Sequence, residues 1–156
     1  MNRNRLHIAT ATAIAFVAIL AMAGCKKEES AAVAPPVAAA KAPATVSVIG
    51  LDLGTSVGAN MKVTTAMTTF GPMDTIIAAV STATSDPAAS VAGKLGVKWS
   101  DPNGKVVNDE ARAAKFTGNG ATDFRVANPA GWSVGKYKVE ISLDGKVVQS
   151  KDFEVK

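Results

Sequence analysis

Histidine and cysteine are almost absent from the sequence, which contains one of each, His7 and Cys25. Residues 26–156 therefore have no imidazole and no thiol, which excludes serine–histidine–aspartate and cysteine–histidine catalysis there. Zinc and copper sites built from histidine and cysteine are excluded for the same reason. A lone cysteine forms no disulfide within the chain, so the fold must depend on burial of apolar side chains. We expect a protein that is not an enzyme and has no cofactor and no metal.

Aromatic residues and net charge are also sparse. Aromatic side chains make up 5% of the chain, and the formal net charge is +4. Without Arg3 and Arg5 the charge is near +2, from 15 basic and 13 acidic residues. Proteins that bind nucleic acid typically carry basic runs interleaved with aromatic residues, and this sequence has none. We therefore expect no nucleic acid partner.

The longest apolar run lies near the N-terminus. Arg3 and Arg5 precede residues 8–21, which are all apolar or small, and small residues then lead to Cys25. This three-part pattern is typical of a secretory signal peptide. The run has 14 residues, whereas a membrane-spanning helix needs about 20, so a permanent transmembrane helix is the weaker interpretation. An ordinary signal peptide with an incidental cysteine is the remaining alternative.

The ending Ala23-Gly24-Cys25 resembles the lipobox of bacterial lipoproteins, with Met22 at the position where leucine is usual. The resemblance implies that residues 1–24 are removed and that Cys25 carries diacylglycerol on sulfur and an acyl chain, such as palmitate, on its amine. Lys26, rather than aspartate, follows the cysteine. In a Gram-negative bacterium this implies the outer membrane, facing the periplasm. The membrane is thus an expected partner through the lipid on Cys25.

Residues 25–45 are predicted to form a lipidated linker. Residues 30–45 are almost all alanine, proline and valine, and three prolines interrupt any alanine helix. The 20 residues from Lys26 to Thr45 would span about 25 Å as a coil and about 60 Å as polyproline. A short helix on the three alanines at 38–40 is the alternative.

From Val46 onwards, short apolar runs alternate with turn residues, which is typical of a β-sandwich or barrel. Residues 75–82 are the most apolar run and are expected to be central. Asp144-Gly145 between two alternating runs predicts a hairpin, with a bulge near Ser150 or Lys151. Residues 61–65 are expected to form a short strand continuation. For residues 109–115 the sequence leaves open a helical turn or a bent edge strand.

Seven or eight strands in about 110 residues resemble an immunoglobulin-like sandwich. Trp99 matches the buried tryptophan of strand C, and Tyr137 matches the tyrosine corner of strand F. The resemblance implies an all-β fold, a two-sheet antiparallel sandwich of about seven strands over residues 46–156. Residues 70–75 and 131–137 also resemble stretches of small bacterial lipoproteins and secreted proteins of unassigned function. The resemblance supplies a fold and no activity.

Four lysines are the first candidate binding surface. If residues 94–99 and 136–143 are neighbouring strands, then Lys94, Lys98, Lys136 and Lys138 share the outer face of one sheet. Such a face could receive an anionic lipid or an acidic protein by charge complementarity. The alternative is a solvated lysine face that keeps the sheet soluble, with Glu140 diluting its charge.

Trp132 and three carboxylates are the other candidates. Trp132 lies in the loop 129–135, where it is either an exposed binding anchor or a lid over the end of the core. Asp101, Asp109 and Glu110 surround one turn and could bind a hard cation, or act only as turn and surface residues. The sequence therefore predicts a non-catalytic envelope lipoprotein that binds or scaffolds an envelope protein. The alternative function is an inhibitor or accessory subunit of an envelope enzyme, presenting loops such as 128–132.

Overall fold

The structure is a computed structural model that describes residues 41–156, so the expected signal peptide, Cys25 and most of the expected linker lie outside the described residues. Within residues 41–156 there is no helix that could cross a membrane. These residues form eight strands: β1 (Val46–Gly54), β2 (Thr69–Phe70), β3 (Ile76–Thr84), β4 (Ser90–Ser100), β5 (Val106–Thr117), β6 (Asn119–Val126), β7 (Gly135–Leu143) and β8 (Lys146–Val155).

The strands form two sheets. One has three strands in the order β1-β3-β6, and the other has five in the order β2-β8-β7-β4-β5. All neighbours are antiparallel except β2 and β8, which are parallel. The expected all-β, immunoglobulin-like sandwich of two sheets is confirmed. As expected, β3 is the central strand of its sheet.

The core lies between the sheets and follows the alternation of the strands. Leu95, Val97 and Trp99 on β4 point inward, and Trp99 is only 1% exposed. The Tyr137 hydroxyl donates to the backbone carbonyl of Ser133, 3.0 Å away, which is the hydrogen bond of a tyrosine corner. The Tyr137 ring stacks on Phe153 at a centroid distance of 5.3 Å. Both residues that carried the resemblance therefore have the structural positions it implied.

One local prediction is confirmed and one alternative is decided. Asp144 and Gly145 join β7 to β8 with φ values of 51° and 83°, as the two-residue hairpin requires. Residues 109–115 lie within β5, which is an edge strand and not a helical turn.

Two other local predictions are wrong. The bulge in β8 lies at Val148, because Val147 pairs with Ser142 and Gln149 pairs with Ile141. Residues 61–65 form no strand; one isolated bridge joins Val57 to Val63 in the long connection between β1 and β2. Met61 in this connection has a φ of 58°, a left-handed conformation that interrupts a strand.

Two long basic side chains bridge the sheets at the open sides of the sandwich. On one side, the Lys151 ammonium donates to the Leu51 carbonyl at 2.9 Å. On the other, Arg112 on β5 donates to the Asp123 carbonyl on β6 at 3.3 Å. The Arg112 guanidinium lies 4.9 Å from the centre of the Phe124 ring. Because the stems of such side chains cover apolar surface while their heads stay in water, they shield the core at the two sides.

The sandwich has two distinct ends. At one end, which we call the tether end because residue 41 lies there, β1 begins opposite the last residue of β3. Ser85 N–H donates to the Thr45 carbonyl at 2.9 Å at this end. Residues 41–45, the loop 85–89 and the hairpin 144–145 lie at this end. At the opposite end, β3 begins, β6 ends and β7 begins. Residue 41 therefore lies at the end opposite the loops 71–75 and 127–134.

Candidate functional site

We define the tip as residues 71–74 and 127–134, two loops that meet at the end opposite residue 41. The first is a tight turn, in which Asp74 N–H donates to the Gly71 carbonyl at 3.2 Å. The Asp74 carboxylate accepts the Gly71 N–H at 2.7 Å. Pro72 favours this turn because its ring fixes φ. The sequence thus forms a rigid turn between β2 and β3.

Trp132 fixes the second loop of the tip onto the first. Its backbone N–H donates to the Pro72 carbonyl at 2.7 Å, and its indole Nε1–H donates to the Asp74 carbonyl at 2.9 Å. Its ring meets Tyr137 edge to face at 5.5 Å. Only 4% of its surface is exposed. Of the two alternatives, Trp132 is therefore the lid over the end of the core and not the exposed anchor. It acts as a clamp that positions the tip.

The surface of the tip is largely apolar, and its one charged residue, Asp74, is half-buried. Met73 and Val134 are each 73% exposed, and no residue from 127 to 134 carries a charge. Gly131 has a φ of 84°, and a Cβ added there would lie 3.4 Å from the Met73 sulfur. Glycine thus permits both the turn and the close approach of the two loops. The result is two exposed apolar side chains on a clamped backbone.

The aromatic side chains do not contribute to this surface. All seven aromatic residues between 41 and 156 are buried. Sugar rings and nucleic acid bases typically stack on exposed aromatic faces, so the described residues offer no such platform.

The four lysines do share the outer face of the five-stranded sheet, but acidic residues alternate with them. Lys98 forms an ion pair with Glu140 at 2.5 Å across β4 and β7. Lys136 lies opposite Glu154 of β8, and Lys138 lies opposite Asp152. The groove over this face, about 430 Å³, is lined by charges of both signs. The arrangement matches the solvated-face alternative and not a basic patch.

The two lysines of β4 show how these charges are used. The Glu140 carboxylate, by hydrogen bond and charge, raises the pKa of Lys98 above its ordinary value. Stability from this pair is therefore present at neutral pH and is lost as the pH rises through the raised pKa. Lys94 lies beside the hairpin, where its backbone N–H donates to the Asp144 carboxylate at 2.7 Å. The ammonium of Lys98 is thus engaged in an ion pair, whereas Lys94 makes its contact through the backbone.

The three carboxylates named from the sequence have structural partners. One Asp101 oxygen accepts the backbone N–H groups of Asn103 and Lys105, at 2.9 and 2.8 Å. Glu110 pairs with Arg112 at 2.5 Å. Asp109 lies opposite Lys98 across β4 and β5. No group of three or more metal-ligating side chains occurs between residues 41 and 156. The geometry gives these carboxylates turn and ion-pair roles.

The exposed residues of the tip, Met73 and Val134, did not emerge from the sequence. A signal was present, because residues 126–135 contain no charged side chain although the chain is 19% charged. The lack of charge alone does not predict a surface, because the tip forms only when Trp132 bonds to Pro72, which is 60 positions away in the sequence.

Comparison with known proteins identifies the domain type. Residues 59–155, more than half of the chain, match the family model described as Glycosyl hydrolases family 2. The matched part is an immunoglobulin-like domain of the kind that is non-catalytic in glycosidases. None of the curated proteins matches the chain.

Solved structures resemble the chain only distantly. A β-glucosidase from Listeria innocua has 11% identity and a TM-score of 0.46, over 72% of this chain and 16% of that chain. An alkylpurine DNA glycosylase from Pseudomonas fluorescens has 11% identity and a TM-score of 0.44, over 71% and 30%. The CARDB domain of a Pyrococcus furiosus protein has 14% identity and a TM-score of 0.39, over 72% and 85%. The chain thus spans less than a third of the two enzymes, and these similarities are too low to transfer a function.

Proposed function

The chain belongs to the family described as Glycosyl hydrolases family 2 through an immunoglobulin-like domain, and from this membership we propose that it is a non-catalytic binding module. From the sequence pattern that ends at Cys25 we propose that the module is anchored by lipid in the bacterial envelope. Its working surface is the tip, and its partner is an envelope protein with an apolar recess. The observation that carries the proposal is the clamped tip, with Met73 and Val134 exposed on it and no charged residue in its loop 127–134.

The preorganised backbone of the tip supports a role in binding. A loop whose backbone is already fixed loses little backbone freedom on binding, so the cost of ordering it is small. Trp132 supplies that rigidity through two hydrogen bonds to the neighbouring turn. Met73 and Val134 are the most exposed large apolar side chains of residues 41–156, and both lie in the tip, which favours an interaction site there.

The position of residue 41 favours anchoring. Residue 41 lies at the tether end, opposite the tip. Lipid on Cys25 would supply more than one acyl chain, which makes membrane attachment stable. In a Gram-negative source the lysine after Cys25 favours the outer membrane, with the domain in the periplasm.

A second candidate function is an inhibitor or accessory subunit of an envelope enzyme. Family membership favours a glycosidase as that enzyme, because the related domains occur beside glycosidase catalytic domains. In this case the tip would dock on the enzyme and change its activity. The partner's identity separates the two functions.

Photo-crosslinking in living cells tests the proposal. A photoreactive amino acid that replaces Val134 should yield adducts with an envelope protein. The matched control carries the photoreactive amino acid in place of Lys146, beside the hairpin turn at the tether end. Adducts from position 134 that disappear with Met73→Asp would support the tip as the working surface. If the captured protein is a hydrolase whose activity changes on binding, the second function is favoured. Equal adducts from both positions would contradict the proposal.

A further inference from the structure

Strand β5 is a long edge strand with one neighbour, β4. It contains no proline, and its pairing with β4 is regular from Asn108 to Thr117. Natural proteins usually shorten, bulge or cover such edges, because free N–H and C=O groups invite another strand to pair. The regular part of β5 is neither short, bulged nor covered, and of the usual protections it has only its charged side chains, Asp109, Glu110, Arg112 and Lys115.

The neighbouring edge strand, β6, is protected. The Asp123 carbonyl near its middle accepts a hydrogen bond from Arg112, whose guanidinium also covers the Phe124 ring. A strand that approaches β6 would have to displace this side chain. The two edges on this side of the sandwich therefore differ, and β5 is the one available for pairing.

The sequence of β5 is complementary to itself in one antiparallel register. When two copies pair about a two-fold axis at Ala111, Glu110 of each lies opposite Arg112 of the other. The same register places Asp109 opposite Ala113 and leaves the small Ala111 opposite itself. Moving the axis by one residue places Arg112 opposite Arg112 or Glu110 opposite Glu110, and like charges directly opposite are destabilising.

We propose that two copies of the chain associate through β5, antiparallel and centred on Ala111, so that their five-stranded sheets become one continuous sheet. The interface is isologous, and its closed two-fold symmetry stops growth at a dimer. The second copy is the occupant because the charges of this edge complement themselves. The tip remains free, since it lies beyond the start of β5 at the end of the sandwich.

Disulfide crosslinking of the full chain in isolated membranes tests the dimer. Directly opposite residues in an antiparallel pair have Cβ atoms about 4.5–5.5 Å apart, so Ala111→Cys places two thiols within reach of each other after small adjustments. Copper phenanthroline with oxygen is the oxidant that removes two electrons and two protons from the thiol pair. Val148→Cys, exposed at the opposite edge of the same sheet, is the matched control. The unsubstituted chain reports any crosslink through Cys25.

The expected result is a covalent dimer from Ala111→Cys, at least ten-fold more abundant than from Val148→Cys. Adding Glu110→Arg places two arginines opposite each other, so it should reduce the Ala111→Cys dimer several-fold. Glu154→Arg makes the same charge change on β8, beside Lys156, and should leave the dimer unchanged. Equal crosslinking at positions 111 and 148, or no effect of Glu110→Arg, would overturn the proposal. Neither result depends on an envelope partner, so the tip proposal stands or fails separately.

Discussion

At the scale of single residues, the indole N–H of Trp132 joins the two loops of the tip. Trp132→Phe keeps an aromatic ring and removes the hydrogen bond to the Asp74 carbonyl. We expect a loss of about 1–3 kcal/mol in unfolding free energy, because a part-buried carbonyl loses its partner and the smaller ring fills less of the buried space. Hydrogen exchange should become faster in residues 71–74 and 127–134, while β4 and β7 are unaffected. Unchanged exchange in the tip would show that the indole does not hold it.

Trp99 and Tyr137 test the core and the tyrosine corner. Trp99→Ala removes a fully buried ring and should cost about 3–5 kcal/mol. Tyr137→Phe removes only the hydroxyl that bonds to the Ser133 carbonyl and should cost about 1 kcal/mol. Urea unfolding measures both, with Val134→Ala as an exposed control expected within about 0.5 kcal/mol of the wild type. Urea midpoints equal to the wild type for both variants would contradict this packing.

At the scale of elements, the β7–β8 hairpin depends on the backbone of its turn. Gly145 has a φ of 83°, and nothing lies within 4 Å of a Cβ added there. Gly145→Ala should therefore cost about 1–2 kcal/mol through backbone strain alone. Gly50→Ala, whose added methyl would meet Ser81 at an ordinary 3.5 Å without a positive φ, is the control and should cost less. Thermal melts that rank these two variants in the opposite order would argue against the turn geometry.

The elements also show what the sequence could and could not predict. The hairpin was predictable because Asp144-Gly145 carries its own conformational signal. The bulge was misplaced because its position depends on how β8 pairs with β7, and β8 alone does not encode that pairing. The lysine face was expected from two strands, whereas Asp152 and Glu154, which balance its charge, come from a third. The fold class could be predicted from the periodicity of the strands and from the turn residues. The surfaces could not, because they depend on how distant segments pair.

At the scale of the whole molecule, the described residues should fold without the segment before them. Thr45 and Ser85 exchange two hydrogen bonds, from Thr45 N–H to the Ser85 hydroxyl and from Ser85 N–H to the Thr45 carbonyl. We expect residues 41–156 to unfold in one cooperative step. Residues 46–156 should also fold, with about 1–2 kcal/mol less stability because these two bonds are lost. Calorimetry of both fragments measures the difference, and a non-cooperative melt of the longer fragment would show that earlier residues belong to the fold.

The proposed anchoring at Cys25 would determine where the molecule presents its tip, and the intact mass of the protein extracted from membranes tests it most directly. The predicted mass is that of a chain beginning at Cys25 with a diacylglycerol and an additional acyl chain. Cys25→Ser should keep residues 1–24 and incorporate no labelled fatty acid. A wild-type chain with an unmodified Cys25, or one cleaved at another bond, would contradict lipid anchoring and with it the proposed place of this protein in the envelope.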